Sequence, residues 1–329
     1  MGAAGGAVHP RLRGRRGLPG QRTDKTTITR LLRCSWEAVA AIVVRVVAAH
    51  VDDARLDGLY QVGVDEVSYR KGHRYLTVVA DHDRDGAVIW AGEGKSGATL
   101  ARFFDQLGAE RAARLRAVSV DLHGAYARVA GARAPQARVC ADPFHVVKLA
   151  NHALDEVRRG EWNAARRASG IVRRPSGRVR ANTAADLVKH TRWALLKDPA
   201  TLTGQQQTLD RLRRTRHVLF RAWALKEELR DLYRLPQGRR ADAHLDAWLA
   251  RACRSRIPAM VALSKTIRAH RQQILAAAEL GLSNSKLEGL NSKIRLINHR
   301  GYGHHTATAV IAMIYLCCSG LTITLPTGS

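Results

Sequence analysis

Two aspartates stand where a β-strand pattern has no need of them. Val62-Gly63-Val64-Asp65 and Val118-Ser119-Val120-Asp121 are short, largely β-branched runs, each closed by a carboxylate. Taken singly, an aspartate at a strand end often does no more than open a turn. If the two strands are neighbours, both carboxylates leave the sheet side by side, and adjacent carboxylates repel. Such a pair is stable where a divalent cation neutralises it, and hard oxygen donors of this kind suit Mg²⁺ or Mn²⁺. The chemistry served is in-line phosphoryl transfer with two ions, one activating the attacking oxygen and one stabilising the leaving oxygen. A third carboxylate completes such a ligand set.

That third member is expected at Glu288, in Leu282-Ser283-Asn284-Ser285-Lys286-Leu287-Glu288-Gly289-Leu290-Asn291-Ser292-Lys293-Ile294-Arg295. Ser283 or Asn284 can cap a helix whose apolar positions are Leu287, Leu290, Ile294 and Ile297. Glu288 lies beside that stripe, and Lys286, Lys293, Arg295 and Arg300 surround it with positive charge. One Glu among bases fits a metal site facing a phosphate backbone; it also fits an ordinary surface glutamate.

The elements that must position these groups follow from the pattern. Strands are expected over 60–66, 75–81, 87–91, 117–121 and 137–141, and helices over 97–107, 124–130 and 144–159. Three strands in meander followed by alternating helix and strand is the order of a ribonuclease-H-like α/β domain with a mixed five-stranded sheet. In that sheet the first and fourth strands are neighbours, which brings Asp65 beside Asp121. Ahead of it, Ile28, Leu31 and Leu32 predict a short helix, Arg33-Cys34-Ser35 a break, and Val39, Ile42, Val43 and Val46 a longer helix capped by Ser35. Lys25, Thr26, Thr29, Arg30, Arg33 and Arg45 then lie between the apolar positions, the types that contact phosphates in a helix-turn-helix, although any helical hairpin reads alike.

Charge supports a polyanionic partner. Of 329 residues, 54 are Lys or Arg against 28 Asp or Glu, a formal net charge of +26, and only ten of the 54 are lysine. A GC-rich genome accounts for much of the arginine, but not for the scarcity of acids. Arg166-Arg167, Arg173-Arg174, Arg178 and Arg180 flank Pro175-Ser176-Gly177, a basic loop expected to meet DNA at Arg173 and Arg174 or to be solvated surface. The five cysteines form no C-x-x-C pair, so no zinc is expected and a reducing cytoplasm fits. Residues 1–22 lack the apolar stretch of a secretory signal and read as a disordered basic tail. The uncharged stretch 306–325 reads as a buried helix and a short strand, not a membrane span.

Several stretches together carry a family resemblance: Leu56-Asp57-Gly58-Leu59, Val64-Asp65-Glu66-Val67-Ser68-Tyr69-Arg70-Lys71, Arg74-Tyr75-Leu76-Thr77-Val78-Val79-Ala80-Asp81-His82, Asp142-Pro143-Phe144-His145-Val146-Val147-Lys148-Leu149, and Glu288-Gly289-Leu290-Asn291 with Arg300-Gly301-Tyr302-Gly303. From about Asp24 nearly to the C-terminus the chain resembles the ISL-three family of bacterial insertion-sequence transposases. The resemblance implies a DDE core with Asp65, Asp121 and Glu288 as catalytic metal ligands for two Mg²⁺ or Mn²⁺ ions. It implies support of the site by Asp142 and His145, for which a helix cap by Asp142 is the competing reading. It further implies DNA contacts from Lys25, Arg30, Arg33, Lys71, Arg173, Arg174, Lys293, Arg295 and Arg300. The partners would be terminal inverted repeats and target DNA, held by a homodimer or larger assembly at the nucleoid. The implied organisation is a tail (1–22), a helix-turn-helix segment (23–55), the first part of the core (56–160), a helical insertion (161–280) and the part of the core carrying Glu288 (281–329). The family usually begins with a cysteine-rich zinc-binding segment, and its cysteines are not found here; His123 also departs from the pattern after the second aspartate. The expected function is metal-dependent strand cleavage and strand transfer; the alternative is a truncated, non-transposing chain that binds terminal repeats.

Overall fold

The computed structural model describes residues 24–70, 72–122, 124–168, 183–197, 206–236, 240–282, 285–300, 306–321 and 323; the side chains of residues 25, 183, 184, 186, 206 and 285–288 stand outside that description. The chain forms two compact units, one from residues 1–140 with 283–329, the other from residues 141–282.

The first unit opens with two helices. Asp24 starts α1 (Lys25–Leu32) by accepting the Thr27 N–H at 2.8 Å, and Arg33 ends it in the left-handed region at φ 46°. Ser35 then starts α2 (Trp36–His50) by accepting the Ala38 N–H at 3.1 Å. The longer helix buries Val39, Ile42, Val43 and Val47, one position along from the expected Val46. In α1 Ile28 is buried but Leu31 is 74% exposed, because a helix of eight residues presents less than a full apolar stripe to its neighbour.

A mixed five-stranded sheet follows: β1 (Gln61–Arg70), β2 (Arg74–Asp81), β3 (Ala87–Glu93), β4 (Ala117–Val120) and β5 (Arg138–Ala141), in the spatial order β3-β2-β1-β4-β5. β1 pairs antiparallel with β2 and parallel with β4. β1 runs four residues beyond the expected end at Glu66, since Val67 and Tyr69 continue the buried alternation while Ser68 and Arg70 face out. Between the strands lie α3 (Gly97–Leu107), α4 (Ala109–Ala112) and α5 (Gly124–Arg133).

Each face of the sheet has its own core. On one face Val62, Val64, Val79 and Ile89 meet Leu100, Phe103 and Phe104 of α3 and Tyr126 and Ala130 of α5. On the other, Val67, Tyr69, Leu76, Val78 and Ala80 meet α2, α14 (Ser285–Arg300) and α15 (Ala307–Cys318) through Val43, Leu290, Ile294, Val310 and Ile314. α15 is the buried helix expected from the uncharged stretch; no strand follows it among the described residues. None of the described helices is long and apolar enough to cross a membrane. On the α3 face the Trp90 ring lies across Gly92, where an added Cβ would come within 2.3 Å of it, so only glycine fits.

Among the described residues the second unit is helical: α6 (Pro143–Ala168), α7 (Thr183–Lys189), α8 (Arg192–Leu196), α9 (Gln206–Thr215), α10 (His217–Asp231), α11 (Ala241–Cys253), α12 (Pro258–Ala269) and α13 (Arg271–Leu280). α6 exceeds its expected end at Arg159 because Ala165 continues its buried side. Inside, Trp248 donates to the Leu225 carbonyl at 2.7 Å. The fully buried Lys226 is satisfied by the Leu195 carbonyl at 2.7 Å and by Glu227, which also holds Arg230 at 2.9 Å.

Phe103 is fully buried against Trp90, ring centroids 6.0 Å apart. Phe103→Ala should therefore cost about 3–5 kcal/mol of stability by urea unfolding; a loss under ~1 kcal/mol would place α3 outside the load of this core.

Candidate active site

The register of the parallel pair decides where the aspartates stand. Gly63 pairs with Ser119, and two residues further along each strand come Asp65 and Asp121. Asp65 thus stands midway along β1 and Asp121 just past the last residue of the neighbouring β4, both half-buried.

Asp65 lies on the face covered by α14. Its Oδ1 accepts the Glu66 backbone N–H at 2.7 Å, and its Oδ2 accepts Nδ2 of Asn291 at 2.5 Å. Leu290, Ile294 and Ile297 seat α14 on that face, and Asn298, two turns beyond Asn291, donates to the Tyr69 carbonyl at 2.5 Å. Glu288 belongs to the same helix, one turn before Asn291; its side chain lies outside the described residues, as do Ser283 and Asn284. Among the described residues no group of three or more His, Cys, Asp or Glu stands close enough together to hold a metal ion.

Glu66 points to the opposite face. It lies across from Thr77 on β2, and beneath both is Tyr126, 2% exposed. The Tyr126 hydroxyl and Thr77 Oγ1 are 2.9 Å apart, and Thr77 Oγ1 donates to the Gly94 carbonyl at 2.9 Å. Burial, first of all, pushes the Tyr126 phenol above its ordinary pKa of 10.0; the Thr77 hydrogen bond opposes this, and the charge and hydrogen bond of Glu66 and the charge of Asp121 add to it. Behind Asp121, Ser119 Oγ meets His82 Nε2 at 2.9 Å.

Asp142 and His145 belong to the second unit. Asp142 is 1% exposed: Oδ1 caps α6 by accepting the Phe144 N–H at 3.1 Å, and Oδ2 pairs with His145 Nδ1 at 2.7 Å. Burial and the charge of Asp142 raise the pKa of Tyr233, whose hydroxyl is buried there.

Of the expected DNA-contacting side chains, Arg30, Arg33, Arg295 and Arg300 are exposed, and Lys293 donates to the Cys317 carbonyl at 2.5 Å. Lys71, Arg173, Arg174, His123 and the Lys25 side chain lie outside the described residues, as do residues 1–22. Sequence reasoning missed Asn291, Thr77 and Tyr126, and it left Glu66 without a role. The spacing of Asn291, one turn beyond Glu288, was the available signal for the first.

The signature of the ISL3 transposase family, described as "Transposase", matches residues 62–314. The chain belongs to that family. It is 42% identical over 315 residues to the transposase for insertion sequence element IS1557 of Mycobacterium tuberculosis, covering 92% of this chain and 70% of that one. It is 30% identical over 286 residues to the transposase for insertion sequence element IS1001 of Bordetella parapertussis, covering 86% of this chain and 67% of that one.

Because its folded pKa is raised, Tyr126 contributes stability that is whole below pH 10.0 and is lost as pH climbs above it, where the unfolded chain releases a proton that the folded chain keeps. Each such tyrosine steepens the alkaline fall in stability by up to about 1.4 kcal/mol per pH unit. Tyr126→Phe should flatten that fall by one group in unfolding measurements from pH 9 to 11 (an experimental range of about two units); an unchanged slope would contradict the assignment.

Proposed function

We propose that the chain is a DDE transposase that cleaves and joins DNA strands at the ends of an insertion sequence, with Asp65, Asp121 and Glu288 as its metal ligands. The observation that supports this reading is the parallel pairing of β1 with β4 through Gly63 and Ser119, with Asp65 and Asp121 each two residues further on, while the helix bearing Glu288 is docked on β1. The donor set fits Mg²⁺ or Mn²⁺: all its atoms are carboxylate oxygens, and the N–H groups of Glu66 and Asn291 orient Asp65 without discharging it. Two bound ions supply the Lewis acidity that activates the attacking oxygen and stabilises the leaving one.

The remaining work falls to the protein. In cleavage, water adds to phosphorus and the bond to the 3′-oxygen breaks, leaving a 3′-hydroxyl. In joining, that hydroxyl attacks a target phosphodiester, one P–O bond forming as another breaks, so no external energy source is required. Arg30 and Arg33, exposed around the turn between α1 and α2, contact duplex phosphates as a helix-turn-helix does. Lys293, Arg295 and Arg300 lie on the helix that carries Glu288, where they offset the charge of phosphates entering the site. On this reading the sheet is a ribonuclease-H-like core, residues 161–280 are its helical insertion, Lys25, Lys71, Arg173 and Arg174 add phosphate contacts, and the terminal repeats and target DNA are held by a dimer or larger assembly.

The deciding experiment is strand cleavage and joining on a labelled terminal-repeat duplex with Mg²⁺ or Mn²⁺. Asp121→Asn keeps the side chain's size and loses its charge, so cleavage should vanish while DNA affinity stays within about tenfold, or ~1.4 kcal/mol. Cleavage by folded Asp121→Asn at the wild-type rate would remove Asp121 from the chemistry; inactive wild type with intact binding would favour the non-transposing alternative. In binding titrations, log affinity should fall linearly with log salt, and Arg30→Ala with Arg33→Ala should reduce the slope by about two. Salt-independent binding would sink the phosphate-contact assignment.

A further inference from the structure

Asp65 is oriented from two directions. Oδ1 takes the Glu66 N–H at 2.7 Å, a bond made within β1 itself. Oδ2 takes Nδ2 of Asn291 at 2.5 Å, a bond made across the 226 residues that separate the two. Two donors on two oxygens fix the plane of the carboxylate, and the second reaches it from α14. Asn291 is 8% exposed and sits in the seam where Leu290 and Ile294 pack on the sheet, a costly place for an amide unless it is paired. An ammonium or guanidinium in its place would also hold Asp65, but would compete with a cation for the carboxylate charge; a neutral amide orients the group and leaves the charge. Asn298 supplies the contrast. It stands two turns further along α14 and bonds the same strand, but its acceptor is the Tyr69 carbonyl, which has no chemical role in the site.

Resting on the reading of the site proposed above, we infer that Asn291 is a positioning residue: it holds Asp65 in the orientation that receives a divalent cation and ties that orientation to the helical turn carrying Glu288. Residues that hold a ligand in this way typically change metal affinity 10- to 100-fold when removed.

The test is Mn²⁺ binding to the full chain without DNA, followed by the loss of the free-ion paramagnetic resonance signal, beside urea unfolding of the same samples. Asn291→Ala should weaken Mn²⁺ binding by about 10-fold or more, whereas Asn298→Ala should lower stability comparably and leave Mn²⁺ affinity within about twofold. Asn291→Leu, which fills the seam with a side chain of similar size, should fold and show the same weakening as Asn291→Ala. In cleavage assays, raising Mn²⁺ should restore the Asn291 variants but not Asp121→Asn. Equal loss of Mn²⁺ affinity in the Asn291 and Asn298 variants would make Asn291 a docking contact only, and wild-type affinity in both Asn291 variants would overturn its role while leaving the transposase reading intact. Wild-type protein that binds no more Mn²⁺ than Asp65→Asn would instead take down the metal site and this inference together.

Discussion

Side-chain alternation along β1 is the constraint on which the rest of the unit depends. Val62 and Val64 point into one core, and Val67 and Tyr69 into the other. Asp65 and Glu66, adjacent in sequence, must therefore face opposite ways: one meets Asn291 on α14, the other the neighbourhood of Tyr126 on α5. A slip of one residue would exchange them and turn Val67 and Tyr69 to the side where Ser68 and Arg70 are exposed, so the packing that stabilises the sheet also chooses which carboxylate the helix of Glu288 meets. The antiparallel pairing from Val62 to Ser68 with β2 pins that choice over most of the strand.

Electrostatics runs against the composition of the chain. A protein of net charge +26 carries Asp65 and Glu66 midway along β1 and Asp121 just past the end of the neighbouring β4. Mutual repulsion among them opposes folding, and the donors seen on Asp65, a backbone N–H and a carboxamide, soften it by orientation. Such partners orient a carboxylate without neutralising it, which on the reading proposed above suits a site that a cation completes. On the same reading the surplus of arginine offsets the repulsion between phosphates and that cluster.

The sequence showed the skeleton of the unit more clearly than its site. Each strand was visible as a β-branched run between turns, and the Ser35 cap and the start and end of α3 follow from rules acting over four or five residues. Asp65 and Asp121 stood out because each ends a run that needs no charge. What escaped depends on partners distant along the chain. Asn291 reads as a polar residue in a helix until β1 is laid against it, and Tyr126 as one aromatic in a weakly amphipathic helix until Thr77 and Glu66 are seen above it. The continuation of β1 through Tyr69 was written in its alternation, but it matters only because α14 and α15 cover that face.

That cover changes the standing of the helix bearing Glu288. α14 and α15 come from a segment separated from the sheet by the whole of residues 141–282, and they supply Leu290, Ile294, Val310 and Ile314 to a core that the strands cannot close alone. Closing so long a connection costs entropy, but the cost grows only slowly with length, about 0.6 kcal/mol for each doubling. Several buried aliphatic side chains, at about 1.5–3 kcal/mol each, outweigh that increment. The helix is therefore held by the hydrophobic effect. The fold thus brings the Glu288 turn onto β1, where Asn291 meets Asp65 and Asn298 adds a contact to the Tyr69 carbonyl further along.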